Sequence, residues 1–270
     1  MHAKRWITGL IALPFLVFLI VKGGAFFSVF IGAVALVAQW EYARIAYDAS
    51  LRQDRGVVAR IAFISTALIV WAAHRQSTDL MLFFIALNLL GAGAAAVFQF
   101  KHQPGILRTV RWQILGILYI PTLLGYTILL RSGAGAEGAR WLFFFLCLVF
   151  AGDIGALYVG TFWGRRKLCP AVSPKKTVEG AVGGLLANVL VGVSFKLLFM
   201  PQLPWGMGFL FFFSIGIAGQ LGDLFESGFK RAARIKDSGG LLPGHGGILD
   251  RADAVLFAAP VAYFFKEFLF

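Results

Sequence analysis

The residues whose types and spacing could do chemistry are concentrated between positions 227 and 253, where the chain reads SGFKRAARIKDSGGLLPGHGGILDRAD. Basic side chains, a glycine-rich loop around His245 and the aspartates Asp250 and Asp253 stand here between two apolar runs. Glycines let a backbone approach a phosphate group closely, and basic side chains at a membrane surface attract anionic headgroups or soluble polyphosphates. Folding in a membrane does not require this density of polar groups, so the stretch predicts a phosphate-binding site at the level of the lipid headgroups.

The rest of the chain is apolar enough to make the lipid bilayer its expected solvent. Hydrophobic residues occupy 59% of the 270 positions, only 14% are charged, and the mean hydropathy is +0.79. A helix that crosses a bilayer needs about 20 mostly apolar residues, and nine stretches approach that length. These stretches are Trp6–Val21, Gly24–Trp40, Val57–Ala73, Leu80–Phe98, Ile114–Leu130, Trp141–Trp163, Val178–Phe199, Trp205–Glu226 and Ala254–Leu269.

These stretches predict the fold class, an all-α integral membrane protein that forms a polytopic bundle of about nine transmembrane helices. The chain is expected to form a single integral domain. Residues 1–130 supply the N-terminal spans, and residues 141–270 supply the catalytic spans and cytoplasmic loops.

The distribution of positive charge predicts how the spans are oriented. When the 25 Lys and Arg are placed on alternate sides of the nine spans, nineteen fall on one side and six on the other. The six are Lys22, Arg75, Arg131, Arg140, Lys196 and Lys266. Because cytoplasmic loops are enriched in Lys and Arg, the N-terminus is expected in the cytoplasm and the C-terminus outside. The first stretch also suits a signal peptide, but cleavage is not expected because eight similar segments follow.

Several kinds of site are disfavoured by the residue types. Cys147 and Cys169 belong to no C-x-x-C motif and no histidines cluster with them, so neither a disulfide framework nor a zinc site is indicated. The sequence has no G-x-x-x-x-G-K-[ST] motif, which removes the P-loop as a means of holding nucleotide. The glycine-rich patches at 91–96 and 180–184 are expected to let helices approach closely. No nucleic-acid partner is expected.

Four aspartates lie within or at the edge of the predicted spans, where an acidic side chain is costly in lipid and functional by default. They are Asp153, Asp223, Asp250 and Asp253. A helix rises 1.5 Å per residue, which places Asp153 near the middle of its span and the other three near the cytoplasmic edge. Carboxylates from successive helices are therefore expected to face each other at one level. Helical spacing also puts Gln220, Asp223, Ser227 and Lys230 on one face.

These residues have structural interpretations as well. Asp250 can cap a helix by accepting backbone N–H bonds, Asp223 can pair with a neighbouring Arg, and His245 can be a plain turn residue. Their occurrence together within 27 residues favours the functional interpretation.

Residues 227–253, called the signature segment below, resemble the signature of the phosphatidate cytidylyltransferases, the CDP-diacylglycerol synthases. The pattern is S-x-x-K-R, four residues, K-D-x-G, then P-x-H-G-G-x-x-D-R-x-D. It is matched by Ser227, Lys230, Arg231, Lys236, Asp237, Gly239, Pro243, His245, Gly246, Gly247, Asp250, Arg251 and Asp253. A second stretch, GDIGA at 152–156 followed by SPKKTVEG at 173–180, resembles the family's other cytoplasm-facing segment. Ala252 departs from the pattern, since the family usually has a larger apolar residue there, which puts only local helix packing in doubt.

The resemblance implies a reaction in which the phosphate of phosphatidic acid attacks the α-phosphorus of CTP, giving CDP-diacylglycerol and pyrophosphate. An anionic phosphate nucleophile needs no general base, and such transfers depend mainly on positioning and charge neutralisation. Mg²⁺ is the expected cofactor, with Asp223 and Asp250 as ligands and Asp253 and Asp153 as weaker candidates. The family is also similar to proteins with a paired-cation site, which leaves room for a monovalent cation beside Mg²⁺.

The resemblance also implies roles for the basic and small residues. Lys175 and Lys176, next to Thr177, would meet the triphosphate, and Lys230 and Arg231 the lipid phosphate, although exchanging the two clusters fits the sequence nearly as well. The remaining expected site residues are Arg251 for the leaving pyrophosphate, His245 to orient a phosphate oxygen or a carboxylate, a loop-ordering pair of Lys236 and Asp237, and Ser227, Gly246 and Gly247 for substrate binding.

Two other functions are alternatives to cytidylyl transfer, one a different enzyme and one a transporter. A CTP-dependent lipid kinase of the dolichol or phytol kinase kind would release CDP instead of pyrophosphate. A cation-coupled transporter would use Asp153 as a midplane acid, but it predicts polar residues through both halves of the bilayer, whereas here they collect on the cytoplasmic side. The expected location is a bacterial cytoplasmic (inner) membrane, and small-residue helix faces make a homodimer plausible.

Overall fold

The structure is a computed structural model and describes residues 13–46, 56–132, 136–235, 237–239 and 246–270. Over these residues it contains ten α-helices, one π-helical turn and one β-hairpin. The helices are α1 (Leu13–Lys22), α2 (Gly24–Ala46), α3 (Gly56–His74), α4 (Thr78–Gln99), α5 (Ile106–Tyr119), α6 (Pro121–Arg131), α7 (Glu137–Phe162), α8 (Val178–Phe199), α9 (Trp205–Ala232) and α10 (Leu249–Phe264). The strands are β1 (Lys167–Cys169) and β2 (Ser173–Thr177), and the π-helical turn covers Phe265–Leu269.

Seven helical segments of the described residues are long and apolar enough to cross a bilayer. They are α2, α3, α4, α5 with α6, α7, α8 and α9. Each coincides with a predicted stretch, so the prediction of an all-α polytopic membrane protein is confirmed. The first predicted stretch, Trp6–Val21, extends into residues 1–12, outside the described ranges, and the last is covered by α10 with the π-helical turn. The total of nine spans and their orientation stay predictions.

The helix limits follow from the chemistry of the terminal residues. Ser77 before α4 and Thr177 before α8 each accept the backbone N–H three residues on, at 3.2 and 3.1 Å. Such caps are favoured because the first N–H groups of a helix have no helical acceptor. The predicted span Ile114–Leu130 is divided between α5 and α6, where Pro121 cannot donate an N–H to continue the helical ladder.

The chain divides into two compact units. Residues 1–132 with 237–251 form the N-terminal unit, and residues 133–236 with 252–270 form the C-terminal unit. The core of the N-terminal unit joins α3, α4 and α5 through Val58, Ala92, Ala95, Ala96, Ile106 and Val110. The close packing predicted for 91–96 is thus carried by alanines, and a Cβ added at Gly93 would meet nothing within 4 Å.

A buried arginine closes the end of α1 in the N-terminal unit. Arg131 Nε donates to the carbonyl oxygen of Ile20 at 2.5 Å, and its Nη2 donates to that of Val21 at 3.0 Å. The last carbonyls of a helix lack helical donors and attract cations. Arg131 is only 8% exposed, so this member of the six sparse positive charges is a structural residue.

Glycines bring α7 and α8 close together in the C-terminal unit. A Cβ added at Gly155 would lie 2.9 Å from the carbonyl oxygen of Gly183, and one at Gly184 would lie 2.8 Å from that of Gly152. These contacts leave no room for a side chain. The prediction that the 180–184 patch allows close helix packing is therefore confirmed.

The β-hairpin between α7 and α8 was not predicted. Its strands pair antiparallel, with Lys167 opposite Thr177 and Cys169 opposite Ser173. The strands have three and five residues and are rich in charge, so they lack the apolar alternation by which longer strands are recognised. The hairpin displays Lys175 and Lys176 just before the start of α8.

Candidate active site

A cavity of about 520 Å³ lies in the C-terminal unit. Its wall includes five residues predicted from the sequence: Asp153, Lys175, Lys176, Thr177 and Asp223. Residues of α7, the hairpin, the first turn of α8 and α9 all contribute to the wall. The structure thus brings the 152–156 and 173–180 stretches together with the acidic residue of α9.

Asp223 is held at the cavity wall by polar neighbours. Its Oδ2 lies 2.5 Å from Lys176 Nζ, and its Oδ1 accepts a hydrogen bond from Ser227 Oγ at 3.3 Å. The side chains of the ion pair are 26% and 33% exposed, with the lysine first. Because both side chains line the cavity, phosphate oxygens can compete for the lysine and a cation for the carboxylate. The sequence allowed a purely structural ion pair between Asp223 and a neighbouring Arg. In the structure the partner of Asp223 is Lys176.

Glu179 in the first turn of α8 organises the chain that leads into the hairpin. Its Oε2 accepts the backbone N–H groups of Arg165 and Arg166 at 3.0 and 3.1 Å, and its Oε1 lies 3.3 Å from Arg166 Nε. A carboxylate is also favoured near a helix N-terminus by the helix dipole. Glu179 lies in the SPKKTVEG stretch at 173–180, but no role was predicted for it from the sequence.

The predicted polar face of α9 separates into two parts. Gln220 and Asp223 line the cavity, and Ser227 bonds to Asp223. Lys230 instead pairs with Glu226 one turn earlier, at 2.6 Å, and Glu226 is fully buried. Sequence reasoning missed Glu226, although an acidic residue four positions before a lysine at the end of a span was a signal for this pair.

Arg231 connects the end of α9 to the hairpin. It is exposed, and its Nε donates to the carbonyl oxygen of Val172, in the hairpin turn, at 3.4 Å. Its Nη1 donates to the carbonyl oxygen of Ile235 at the same distance. The guanidinium holds the turn through these two bonds and, because it is exposed, stays accessible to an anion.

Asp253 lies close to the cavity acids. It interacts electrostatically with Asp223, Asp153 and Lys230, and its Oδ1 accepts the N–H of Ala254 at 2.8 Å. A Cβ at Gly222 would overlap the carbonyl oxygen of Asp253, so α9 and α10 are in close contact at this level. The prediction that carboxylates from successive helices share one level is confirmed for Asp223 and Asp253.

Asp250 belongs to the N-terminal unit and holds the segment that precedes α10. Its Oδ2 accepts the N–H groups of Gly247 at 2.7 Å and Ser238 at 3.0 Å. Asp250 thus accepts backbone N–H bonds, but from residues that precede α10 and not from the first turn of that helix, and its predicted metal role stays a prediction. Gly246, at φ +80°, has a backbone that a side chain rarely tolerates, and a Cβ there would lie 2.7 Å from Asp250 Oδ2.

Among the described residues, the other predicted members of the signature segment do not line this cavity. Asp237 and Arg251 are exposed. Lys236 and His245 lie outside the described residues, and with them the predicted pair of Lys236 and Asp237 and the predicted orienting role of His245.

The donor atoms at the cavity suit a hard cation. In the parts of the chain that the structure describes, no group of three or more His, Cys, Asp or Glu side chains forms a metal cluster. Mg²⁺ usually keeps several waters and is bound by one or two carboxylates together with substrate phosphates. Two carboxylates on a cavity wall that also carries lysines, Asp153 and Asp223, fit that mode of binding better than an all-protein cage would.

Comparison with known proteins places the whole chain in one family. The model of the cytidylyltransferase family matches residues 3–269. A phosphatidate cytidylyltransferase of Bacillus subtilis (strain 168) is 31% identical over 267 residues, which cover 97% of this chain and 96% of that protein. Those of Pseudomonas aeruginosa (36% over 275 residues, covering 97% and 95%) and Synechocystis sp. (31% over 298 residues, covering 100% and 98%) are similar to it as well. The match includes the N-terminal spans, which carried no recognisable motif, and the chain therefore belongs to the cytidylyltransferase family.

Proposed function

We propose that this protein is a phosphatidate cytidylyltransferase, which converts CTP and phosphatidic acid to CDP-diacylglycerol and pyrophosphate in phospholipid biosynthesis. The observation that carries the proposal is the similarity over nearly the full length to relatives with that activity in their names. The cavity supports it, because its wall combines carboxylates for a cation with lysines for phosphate groups.

In the proposed mechanism, a phosphate oxygen of phosphatidic acid forms a bond to the α-phosphorus of CTP while the bond from that phosphorus to the β-phosphate oxygen breaks. Lys175 and Lys176 contact the triphosphate and neutralise the charge that builds on the leaving pyrophosphate. The transfer of Lys176 from Asp223 to a phosphate oxygen frees that carboxylate for a cation. When bound, Mg²⁺ would act as a Lewis acid on the phosphate oxygens.

Asp223 and Asp153 are the proposed cation ligands on the cavity wall, and Asp253, which interacts with both, is a weaker candidate ligand. Asp250 keeps its sequence-predicted role as a ligand. A monovalent cation beside Mg²⁺ belongs to the same proposal. Arg231 is the proposed contact for the lipid phosphate, because its guanidinium is exposed. Lys230 has that role only if it leaves Glu226.

The finer topology is part of the proposal. Nine spans with a cytoplasmic N-terminus and an outside C-terminus put the lysine-rich hairpin and the end of α9 on the cytoplasmic side, where CTP is available. The membrane is then the inner membrane of a bacterium, as the bacterial relatives suggest. A homodimer would use the small-residue helix faces.

The first experiment measures product formation by the purified protein in detergent. Pyrophosphate release is expected only when CTP, phosphatidic acid and Mg²⁺ are all present, with CDP-diacylglycerol as the lipid product. CDP release would instead indicate a lipid kinase. Failure to use CTP with any phosphatidic acid over a range of detergents and pH would contradict the proposal. That result would favour the alternative function of a cation-coupled transporter.

Replacing Glu179 with Gln is expected to raise the KM for CTP about 10-fold, since a charge-assisted hydrogen bond contributes about 1.5–3 kcal/mol. Gln keeps the size of the side chain, and its one oxygen can still accept the N–H groups of Arg165 and Arg166, but the negative charge is lost and an NH₂ group then faces the donor Arg166 Nε. The hairpin with its lysines is then less well positioned. Initial rates over a range of CTP concentrations measure this effect.

The matched control is Glu137→Gln, which changes an exposed glutamate in the first turn of α7. It is expected to leave the KM for CTP unchanged. Equal KM values in both variants would show that Glu179 does not position the hairpin for CTP.

A further inference from the structure

Glu41 in α2 is a fully buried acid that the proposed mechanism does not use, with 0% of its surface exposed. Its carboxylate accepts three hydrogen bonds from residues near the opposite end of the sequence. Oε1 accepts the N–H of Ile248 at 3.2 Å, and Oε2 accepts the N–H of Leu249 at 2.9 Å and the hydroxyl of Ser238 at 3.3 Å. Burial of a carboxylate is costly unless donors surround it, and here every named partner is a donor.

These donors lie on both sides of the glycine-rich loop of the signature segment. Ser238 precedes the loop, whereas Ile248 and Leu249 follow it at the start of α10. The first N–H groups of a helix have no acceptor within the helix, and a negative charge is favoured beside them. Glu41 therefore caps α10 from a helix that lies far away in the sequence.

Two signature glycines leave the space that this carboxylate occupies. A Cβ at Gly239 would overlap Glu41 Oε1. A Cβ at Gly247 would overlap Ser238 Oγ and lie 2.5 Å from Glu41 Oε2. The sequence suggested that Gly247 lets the backbone approach a phosphate, but in the structure its missing side chain makes room for Glu41 and Ser238.

Ser238 links Glu41 to Asp250. Its hydroxyl donates to Glu41 Oε2, and its backbone N–H donates to Asp250 Oδ2 at 3.0 Å. Asp250 in turn accepts the N–H of Gly247. Two carboxylates thus fasten residues 238–239 to residues 246–250, all within the N-terminal unit.

From this geometry we infer that Glu41 is a positioning residue for cytidylyl transfer. It holds the loop ends and the first turn of α10 in one arrangement and so sets where Asp250 and Arg251 are presented. The inference rests on the proposed function, because it assigns Glu41 a role in that reaction through Asp250 and Arg251.

The test compares Glu41→Gln with the wild-type protein in turnover and in hydrogen–deuterium exchange. Gln has the same shape but replaces one oxygen with an NH₂ group, so a donor then faces the N–H of Ile248 or the donors at Oε2. A misplacement of about 1 Å costs up to about 100-fold in rate, and we expect kcat for pyrophosphate release to fall about 10- to 100-fold. Amides of residues 246–252 should exchange about 10-fold faster or more, while the rest of the protein keeps its protection.

The matched control is Tyr42→Phe, which removes a hydrogen bond from the next residue of α2, the bond from Tyr42 Oη to the carbonyl oxygen of Trp112 at 3.0 Å. Trp112 lies outside the signature segment, so the variant should match wild type in turnover and in exchange at 246–252. Should Glu41→Gln fail to fold, Ser238→Ala removes one of the three bonds and is expected to change both readouts in the same direction by a smaller factor. Where Glu41→Gln does fold, the losses in the double variant Glu41→Gln with Ser238→Ala should be less than additive, because both changes remove the Ser238–Glu41 bond.

The outcomes separate this inference from the proposed function. If the wild-type protein does not use CTP and phosphatidic acid, the proposed function fails, and the exchange data alone still report whether Glu41 holds the loop. If the wild type is active but Glu41→Gln, or Ser238→Ala in its place, matches Tyr42→Phe in both readouts, the positioning role is overturned.

Discussion

Replacement of Asp223 by Asn is expected to lower pyrophosphate release about 10²- to 10³-fold, the usual effect of removing one electrostatic contact to a transition state. Asn keeps the shape of the side chain and can still accept a bond from Ser227, but it loses the charge that meets Lys176 Nζ at 2.5 Å. The same charge is the proposed anchor for the cation. Rates measured against Mg²⁺ concentration should show a higher Mg²⁺ requirement as well as a lower plateau.

The control for this change is Asp79→Asn, because Asp79 is an exposed aspartate in the first turn of α4. It should behave as wild type in rate and in Mg²⁺ dependence. If the Asp223→Asn protein has wild-type rates, Asp223 has no role in catalysis or cation binding. Its ion pair with Lys176 is then a purely structural contact.

Asp250→Asn is expected to reduce pyrophosphate release by a similar factor of about 10²–10³, and it separates the two roles of this residue. Oδ2 accepts the N–H groups of Gly247 and Ser238, at 2.7 and 3.0 Å, and Oδ1 accepts the same Ser238 N–H at 3.3 Å. An Asn whose single oxygen takes the place of Oδ2 keeps the two shorter bonds and loses the charge and the longer bond at 3.3 Å. Exchange protection at 246–252 should therefore stay at the wild-type level while activity is lost.

The opposite combination is equally informative. If Asp250→Asn retains activity while Asp250→Ala loses both activity and exchange protection, Asp250 only holds the segment before α10 and is not a cation ligand. Asp79→Asn again shows the effect of an Asp-to-Asn change elsewhere.

Much of the fold was predictable because it depends on local composition. Each of the seven helical segments that can cross a bilayer coincides with a predicted stretch, since an apolar run of sufficient length in lipid must satisfy its own backbone as a helix. The β-hairpin was not predictable in this way, because its short strands 167–169 and 173–177 carry no apolar alternation. The division of one predicted span at Pro121 was visible only as a single residue within an otherwise apolar run.

The site was predicted in part. The sequence predicted that Asp153, Lys175, Lys176 and Asp223 belong together, and the structure places all four at one cavity. It also predicted Lys230 as an open contact for lipid phosphate, whereas the structure pairs it with buried Glu226. The motif identified the residues, but the partner of each charged group depended on which helix faces are packed together.

The sequence by itself determined that this chain is a membrane protein of the cytidylyltransferase family with a phosphate-binding chemistry, since apolar run length, charge content and motif spacing are properties of contiguous residues. Only the tertiary structure decided that Lys176 meets Asp223 and that Glu41 caps α10 beside Gly239 and Gly247. The physical reason is that such contacts join residues far apart in sequence, and a lone glutamate in an apolar helix gives no sign of the donors that will surround it.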